Sequence, residues 1–136
     1  MRVLDDRRLG KQRSEVLGLL TCLDGRSRGW VHHPATAMWR GYEDALVLYG
    51  LTVVREWKRR GYADTVEAKL LARWNGRPRR LPPWFGDPAF HRSHQSALVR
   101  KDPDRYGPMF PAVPADLPYV WPVKAAAPAP SPAATR

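Results

Sequence analysis

The chain reads as an all-α protein: one compact domain of about four helices, joined by irregular Pro- and aromatic-rich connections, with an extended C-terminal wrap. Three observations carry that expectation. Apolar residues recur at three- and four-residue steps in several long windows. No two windows alternate with the period of two that a strand pair needs. Asp, Pro and Gly fall where helices start and stop. At 136 residues, with six Trp, five Tyr and three Phe, the chain can bury one core. That domain is expected over residues 1–122. Residues 123–136, which include "KAAAPAPSPAATR", carry too little bulky apolar surface to offset ordering and are expected to be a disordered tail.

The first helix is expected from Asp5 or Asp6, either of which suits an N-cap, to about Leu23, before the turn chemistry of "DGRSRG". At 100° per residue Leu9, Val16, Leu20 and Leu23 share one side, and Arg8, Lys11, Gln12 and Glu15 another. A long second helix follows in "HPATAMWRGYEDALVLYGLTVVREWKRRG", with Pro34 in its first turn and Gly61 past its end. Trp39, Tyr42, Leu46, Tyr49, Val53 and Trp57 form its core-facing stripe. Gly41 and Gly50 each weaken it by about 1 kcal/mol relative to Ala, which a close approach of another backbone would explain. "DTVEAKLLARWNG" reads as a third helix with an Asp64/Glu67 capping box and Asn75–Gly76 at its end. After the basic connector "RPRRLPPWFGDP", Asp87–Pro88 opens a fourth helix that Pro103 closes. Tyr106, Phe110, Tyr119 and Trp121 are the expected anchors of the extended segment beyond it.

Lys and Arg outnumber Asp and Glu by 23 to 13, a formal charge of +10. Such an excess is a statement about partners: nucleic acid, an anionic membrane surface or an acidic protein. No apolar run approaches the ~20 residues of a transmembrane helix, and "MRVLDDRRLG" has charges where a signal peptide needs an apolar core. The single cysteine, Cys22, lies in the apolar run "VLGLLTCL", which suits a buried thiol and a reducing cytoplasm. The expected setting is cytoplasmic and nucleoid-associated, and the expected state a monomer.

The stretch "RRLGKQRSEV" sets one carboxylate, Glu15, among Arg7, Arg8, Lys11 and Arg13. Cations at one-turn steps along a helix can track a phosphate backbone. From spacing alone, Glu15 is best explained by an i,i+4 ion pair with Lys11, worth only about 0.3–0.5 kcal/mol when exposed. The other reading is a general acid/base beside a phosphodiester. The connector residues Arg77, Arg79 and Arg80 add a second basic cluster. The histidines come in two pairs, His32–His33 and His91–His94, and of these His91, with Arg92, is a candidate phosphate contact. His94 suits packing beside Phe90 and Leu98. The His pairs lack the third ligand and the carboxylate of a catalytic zinc site, so no metal is expected. No glycine-rich phosphate loop or nucleophile elbow is present.

Three stretches taken together resemble a known family: "LDDRRLGKQRSEV", "HHPATAMWRGYEDALVLYG" with "KRRGYADT", and "LPPWFGDPAFHRSHQSALVRKDPDRYGPMFP". They are similar to the pyrimidine-dimer DNA glycosylase/abasic-site lyase family, typified by phage endonuclease V, and above all to its small actinobacterial-type branch. The similarity runs over about residues 3–122. It implies a helical protein that binds damaged double-stranded DNA. In the family an α-amine attacks the sugar C1′, releases the base and leaves a Schiff base, after which a helix-1 glutamate assists β-elimination. That glutamate falls on Glu15. The family's DNA-contacting basic residues of helix 1 fall loosely on Arg8 and Arg13, and His33 lies near the histidine that opens its second helix. The chemistry calls for no cofactor and no metal.

Relatives carry a short segment, with the nucleophilic amine, ahead of the position matching Val3–Leu4. Here the chain opens directly into helix 1: either translation starts further upstream, which is the expectation, or the nucleophile is missing. A non-catalytic basic DNA- or RNA-binding protein is the alternative, and an interaction module for an acidic protein a third.

Overall fold

The computed structural model describes residues 2–74 and 81–121. Among them there are six helices and no strand: α1 (Asp6–Leu23), α2 (Pro34–Trp39), α3 (Glu43–Arg59), α4 (Glu67–Arg73), α5 (Pro88–Lys101) and α6 (Pro103–Tyr106). The all-α expectation holds. The described residues divide into two compact units, one ending at Pro82 with α1–α4 and one starting at Pro83 with α5 and α6.

α1 starts and stops where its caps require. The Asp5 side chain accepts the Arg8 backbone N–H at 3.2 Å, and Gly25 takes the left-handed conformation, φ +79°, after the last turn. Leu9, Val16, Leu19, Leu20 and Cys22 are buried.

The expected long second helix is broken in two. α2 ends at Trp39, Arg40 is extended, and Gly41 sits at φ +86°, a conformation that costs glycine little and other residues much. Glu43 and Asp44 then occupy the first turn of α3, where negative charge meets the positive end of the helix. The punctuation "RGYED" marks both an end and a fresh start. The third helix begins later than expected, at Glu67. Asp64 Oδ2 still caps it, accepting the N–H groups of Val66 at 3.0 Å and Glu67 at 2.7 Å. The Glu67 carboxylate does not close the box; it pairs with Lys58 at 2.9 Å.

α1 and α3 pack antiparallel. Arg60 Nη1 meets Asp6 at 2.8 Å, Gly10 lies against the Trp57 ring, and Gly50 against Val16. A Cβ on Gly50 would stand 2.6 Å from Val16 Cγ1 and 2.9 Å from Leu70 Cδ1. Glycine here brings α1, α3 and α4 together, so the close approach is of side chains rather than of another backbone. One end of the α1–α3 contact is pinned by charge. Arg13 Nη1 bonds Asp64 Oδ1 at 2.7 Å with the guanidinium carbon 5.0 Å from the Trp57 ring centroid, and Tyr62, stacked on Trp57 at 4.3 Å, donates its hydroxyl to Asp6.

In the second unit Asp87 caps α5, accepting the Ala89 N–H at 3.0 Å, as Asp87–Pro88 led us to expect. The segment after α6 lies along α5. The buried hydroxyls of Ser96 and Ser93 accept the backbone N–H groups of Leu117 and Val120, both at 3.0 Å. Arg92 and Arg100 donate to the carbonyls of Ala112 and Ala115, both at 2.9 Å. Tyr106 is fully buried, whereas Tyr119 stays 40% exposed while its ring packs on His94 and Trp121. The expected disordered tail, 123–136, lies outside the described residues.

Candidate nucleic-acid interface and its carboxylate

The α1 cations divide into two kinds. Arg8 Nη1 pairs with Asp5 at 3.1 Å, and Arg13 with Asp64, whose side chain is only 3% exposed. Arg13 ties α1 to the cap of α4, and Arg8 pairs with the N-cap of its own helix. Burial works against an ionised Asp64, yet the Glu67 N–H, the Arg13 guanidinium and the Val66 N–H together hold it below the usual carboxylate range. Arg7 and Lys11 are exposed, and among the described residues no carboxylate lies within ion-pair distance of either.

Glu15 continues the Arg7–Lys11 stripe one turn further, at the border between the exposed face of α1 and its packed face. The Lys11–Glu15 pair expected from spacing is not formed, and among the described residues no cation lies within ion-pair distance of Glu15. Its neighbour is Tyr49 on α3. Burial and then the negative charge of Glu15 push the Tyr49 phenol well above its ordinary range, while a hydrogen bond from Gln12 opposes them. The phenol therefore stays protonated and adds no charge beside the carboxylate. The Trp39 ring packs beside Tyr49, 5.8 Å between centroids. The result is a half-buried carboxylate on a packed aromatic base, next to two cations open to an anion.

The remaining candidates have local work of their own. His33 is the N-cap of α2: its Nδ1 accepts the Ala35 N–H at 3.0 Å, and its ring stacks on Trp30 at 5.5 Å. His91 Nε2 accepts the Gly86 N–H at 2.9 Å, bracing the turn before α5, and Arg92 latches the C-terminal segment. Arg77, Arg79 and Arg80 lie outside the described residues. So Arg7, Arg8, Lys11, Arg13, Glu15 and His33 belong to the first unit, and His91 and Arg92 to the second. Tyr49 went unrecognised as a partner of Glu15. Its place in the α3 stripe marked it as core, and nothing local in the sequence announces a contact 34 positions away. Among the described residues no three His, Cys, Asp or Glu side chains gather as a metal site would require, and no helix is long and apolar enough to cross a membrane.

Among the described residues the first helix thus presents two exposed cations, Arg7 and Lys11, and a carboxylate that no cation neutralises. A family model described as pyrimidine dimer DNA glycosylase matches residues 1–70, just over half of the 136 residues. The chain belongs to that family, which acts on damaged DNA in its repair. The match covers α1 to α3 and runs into α4; the likeness read in residues 81–111 lies outside it. No curated protein and no solved structure matches the chain.

Proposed function

We propose that this protein is a DNA glycosylase with abasic-site lyase activity on pyrimidine dimers or related lesions in double-stranded DNA, and that Glu15 is its acid/base. An amine of the protein attacks C1′ of the damaged nucleotide. The glycosidic bond breaks and the base leaves with the bonding electrons, taking a proton from the attacking amine; the C1′–O4′ bond then opens, O4′ takes up a proton, and a protonated Schiff base joins protein and sugar. Glu15 then accepts the C2′ proton, the electrons of that C–H bond form a C2′=C3′ double bond conjugated with the Schiff base, and the C3′–O bond breaks with the phosphate as leaving group. Water finally hydrolyses the Schiff base. Arg7 and Lys11 hold phosphates on either side, an electrostatic contact that weakens with salt.

The observation that carries this reading is the state of Glu15. It lies at the edge of the basic stripe and is not neutralised by a neighbour among the described residues. A carboxylate placed only to balance charge would pair with Lys11, one turn away.

Incubation with a dimer-containing duplex and borohydride is expected to trap a covalent protein–DNA adduct, with the chain as given or once any in-frame codons ahead of Met1 are added. Salt-sensitive duplex binding without adduct in either form would instead identify a non-catalytic binder.

A further inference from the structure

All six tryptophans fall among the described residues, and only Trp30 is exposed. Its residue is 37% accessible, while Trp39 and Trp84 are nearly sealed. A large aromatic left at a surface is informative when the backbone around it is rigid, because a loose loop could have tucked it in. Here the backbone is held. The Trp30 carbonyl accepts the hydroxyl of the fully buried Thr36 at 2.6 Å and the N–H of His33 at 3.0 Å. His33 is itself fixed as the α2 N-cap, and the two rings stack with 28° between their planes.

Two exposed arginines precede Trp30 in the same loop. Arg28 is exposed, with no carboxylate within ion-pair distance among the described residues. Arg26 is 69% exposed at its side chain and meets Asp24 only at 3.5 Å. An exposed, preorganised indole two and four residues after exposed arginines of the same loop is a combination that can bind a nucleobase by its π-face and the adjoining phosphates by charge. A fully paired duplex hides its base faces, so the ligand must be a base out of the stack.

We propose that Trp30, braced by His33, is a stacking platform for an unpaired nucleobase of bound DNA, and that Arg26 and Arg28 hold the flanking phosphates. The proposal rests on the DNA-binding reading above and adds a site to it, in the loop between α1 and α2. It requires no contribution from Glu15 or from the chemistry at the sugar.

The test compares two labelled duplexes. One is fully paired. The other carries a tetrahydrofuran abasic analogue, which has no leaving base and cannot form a Schiff base, opposite an unpaired adenine. The unmodified protein is expected to prefer the second. Base–aromatic stacking corresponds to about 5- to 150-fold in affinity, so Trp30→Leu, which keeps apolar bulk without a π-face, is expected to lose at least about fivefold of that preference. Trp30→Phe is expected to retain most of it. Arg28→Gln is expected to weaken binding to both duplexes equally and to lower the salt slope by about one ion. No preference in the unmodified protein, or a preference unchanged in a folded Trp30→Leu variant, overturns the proposal. Equal losses on both duplexes from Trp30→Leu overturn it too. If the unmodified protein neither binds duplex nor gives a borohydride adduct, the repair reading fails; if it does both while Trp30→Leu keeps the preference, only the stacking platform fails.

Discussion

Replacing Gly50 by Ala isolates the contact that seats α1 on α3. Two terms oppose each other. Alanine inside a helix is worth about 0.8–1 kcal/mol over glycine, which favours the variant. Against this, the new methyl would stand 2.6 Å from Val16 Cγ1 and 2.9 Å from Leu70 Cδ1, where ordinary contacts begin near 3.4 Å. Both neighbours are fully buried, so neither can swing into solvent. Overpacking of this kind costs about 1–3 kcal/mol. Two approaches under 3.0 Å against sealed neighbours put the cost in the upper part of that range, about 2–3 kcal/mol, so the balance leaves Gly50→Ala less stable by about 1–2 kcal/mol, a fall of several degrees in Tm for a unit of this size. Gly18 is the control: it is exposed on the same helix that Val16 occupies, and a Cβ there meets nothing within 4 Å. Gly18→Ala is expected to gain about 0.5–1 kcal/mol. Urea unfolding followed by far-UV circular dichroism reads both. In a Val16→Ala background the closer clash is gone, and Gly50→Ala is expected to cost little, so the two changes couple favourably by about 1 kcal/mol or more. Equal stability of Gly50→Ala and the parent, or additivity with Val16→Ala, would refute the packing argument.

Arg13→Met is expected to act on stability rather than on DNA. It leaves Asp64 buried and deprived of its cation, at about 3 kcal/mol, the low end for a broken buried pair because two backbone N–H groups still serve the carboxylate. Urea midpoints and duplex titrations of the same variant separate the effects. Arg7→Gln and Lys11→Gln are expected to do the reverse: stability within about 0.5 kcal/mol of the parent, and a salt slope for duplex binding smaller by about 0.9 each. Acid titration probes the far end of α3. Hydrogen bonds from Arg59 and then Arg60 hold Glu56 down at about 2, from an ordinary 4.5. A carboxyl depressed in the folded state stabilises it above the ordinary value, and that contribution is lost as pH falls from about 4.5 towards 2. Glu56→Gln is therefore expected to lower the urea midpoint at neutral pH and to flatten its fall over that window.

Much of the architecture was legible because it rests on local chemistry. Asp5 and Asp87 cap the helices they were expected to open, and the buried side of α1 follows its apolar spacing. The break at Gly41 was missed because the apolar stripe continues across it. Periodicity from Trp39 to Trp57 survives a turn that keeps the same face inward, and only the backbone of Arg40 and Gly41 reveals the break. The site was legible in part. Composition and the α1 stripe pointed to a polyanion, but which cations remain open depends on carboxylates distant in sequence. Arg13 is taken by Asp64, 51 residues away, and Glu15 is set against Tyr49. Such pairings are decided by how α1 lies on α3, which no window of the sequence contains.

Single-turnover incision by Glu15→Gln, beside its affinity for the same dimer-containing duplex, bears most directly on the role of the helix-1 carboxylate. Glutamine keeps the shape of the side chain but cannot take a proton. Affinity within about twofold of the parent, with strand cleavage slowed by about 10²–10⁴, is the expected result. Cleavage at the parental rate would mean that Glu15 is not the base.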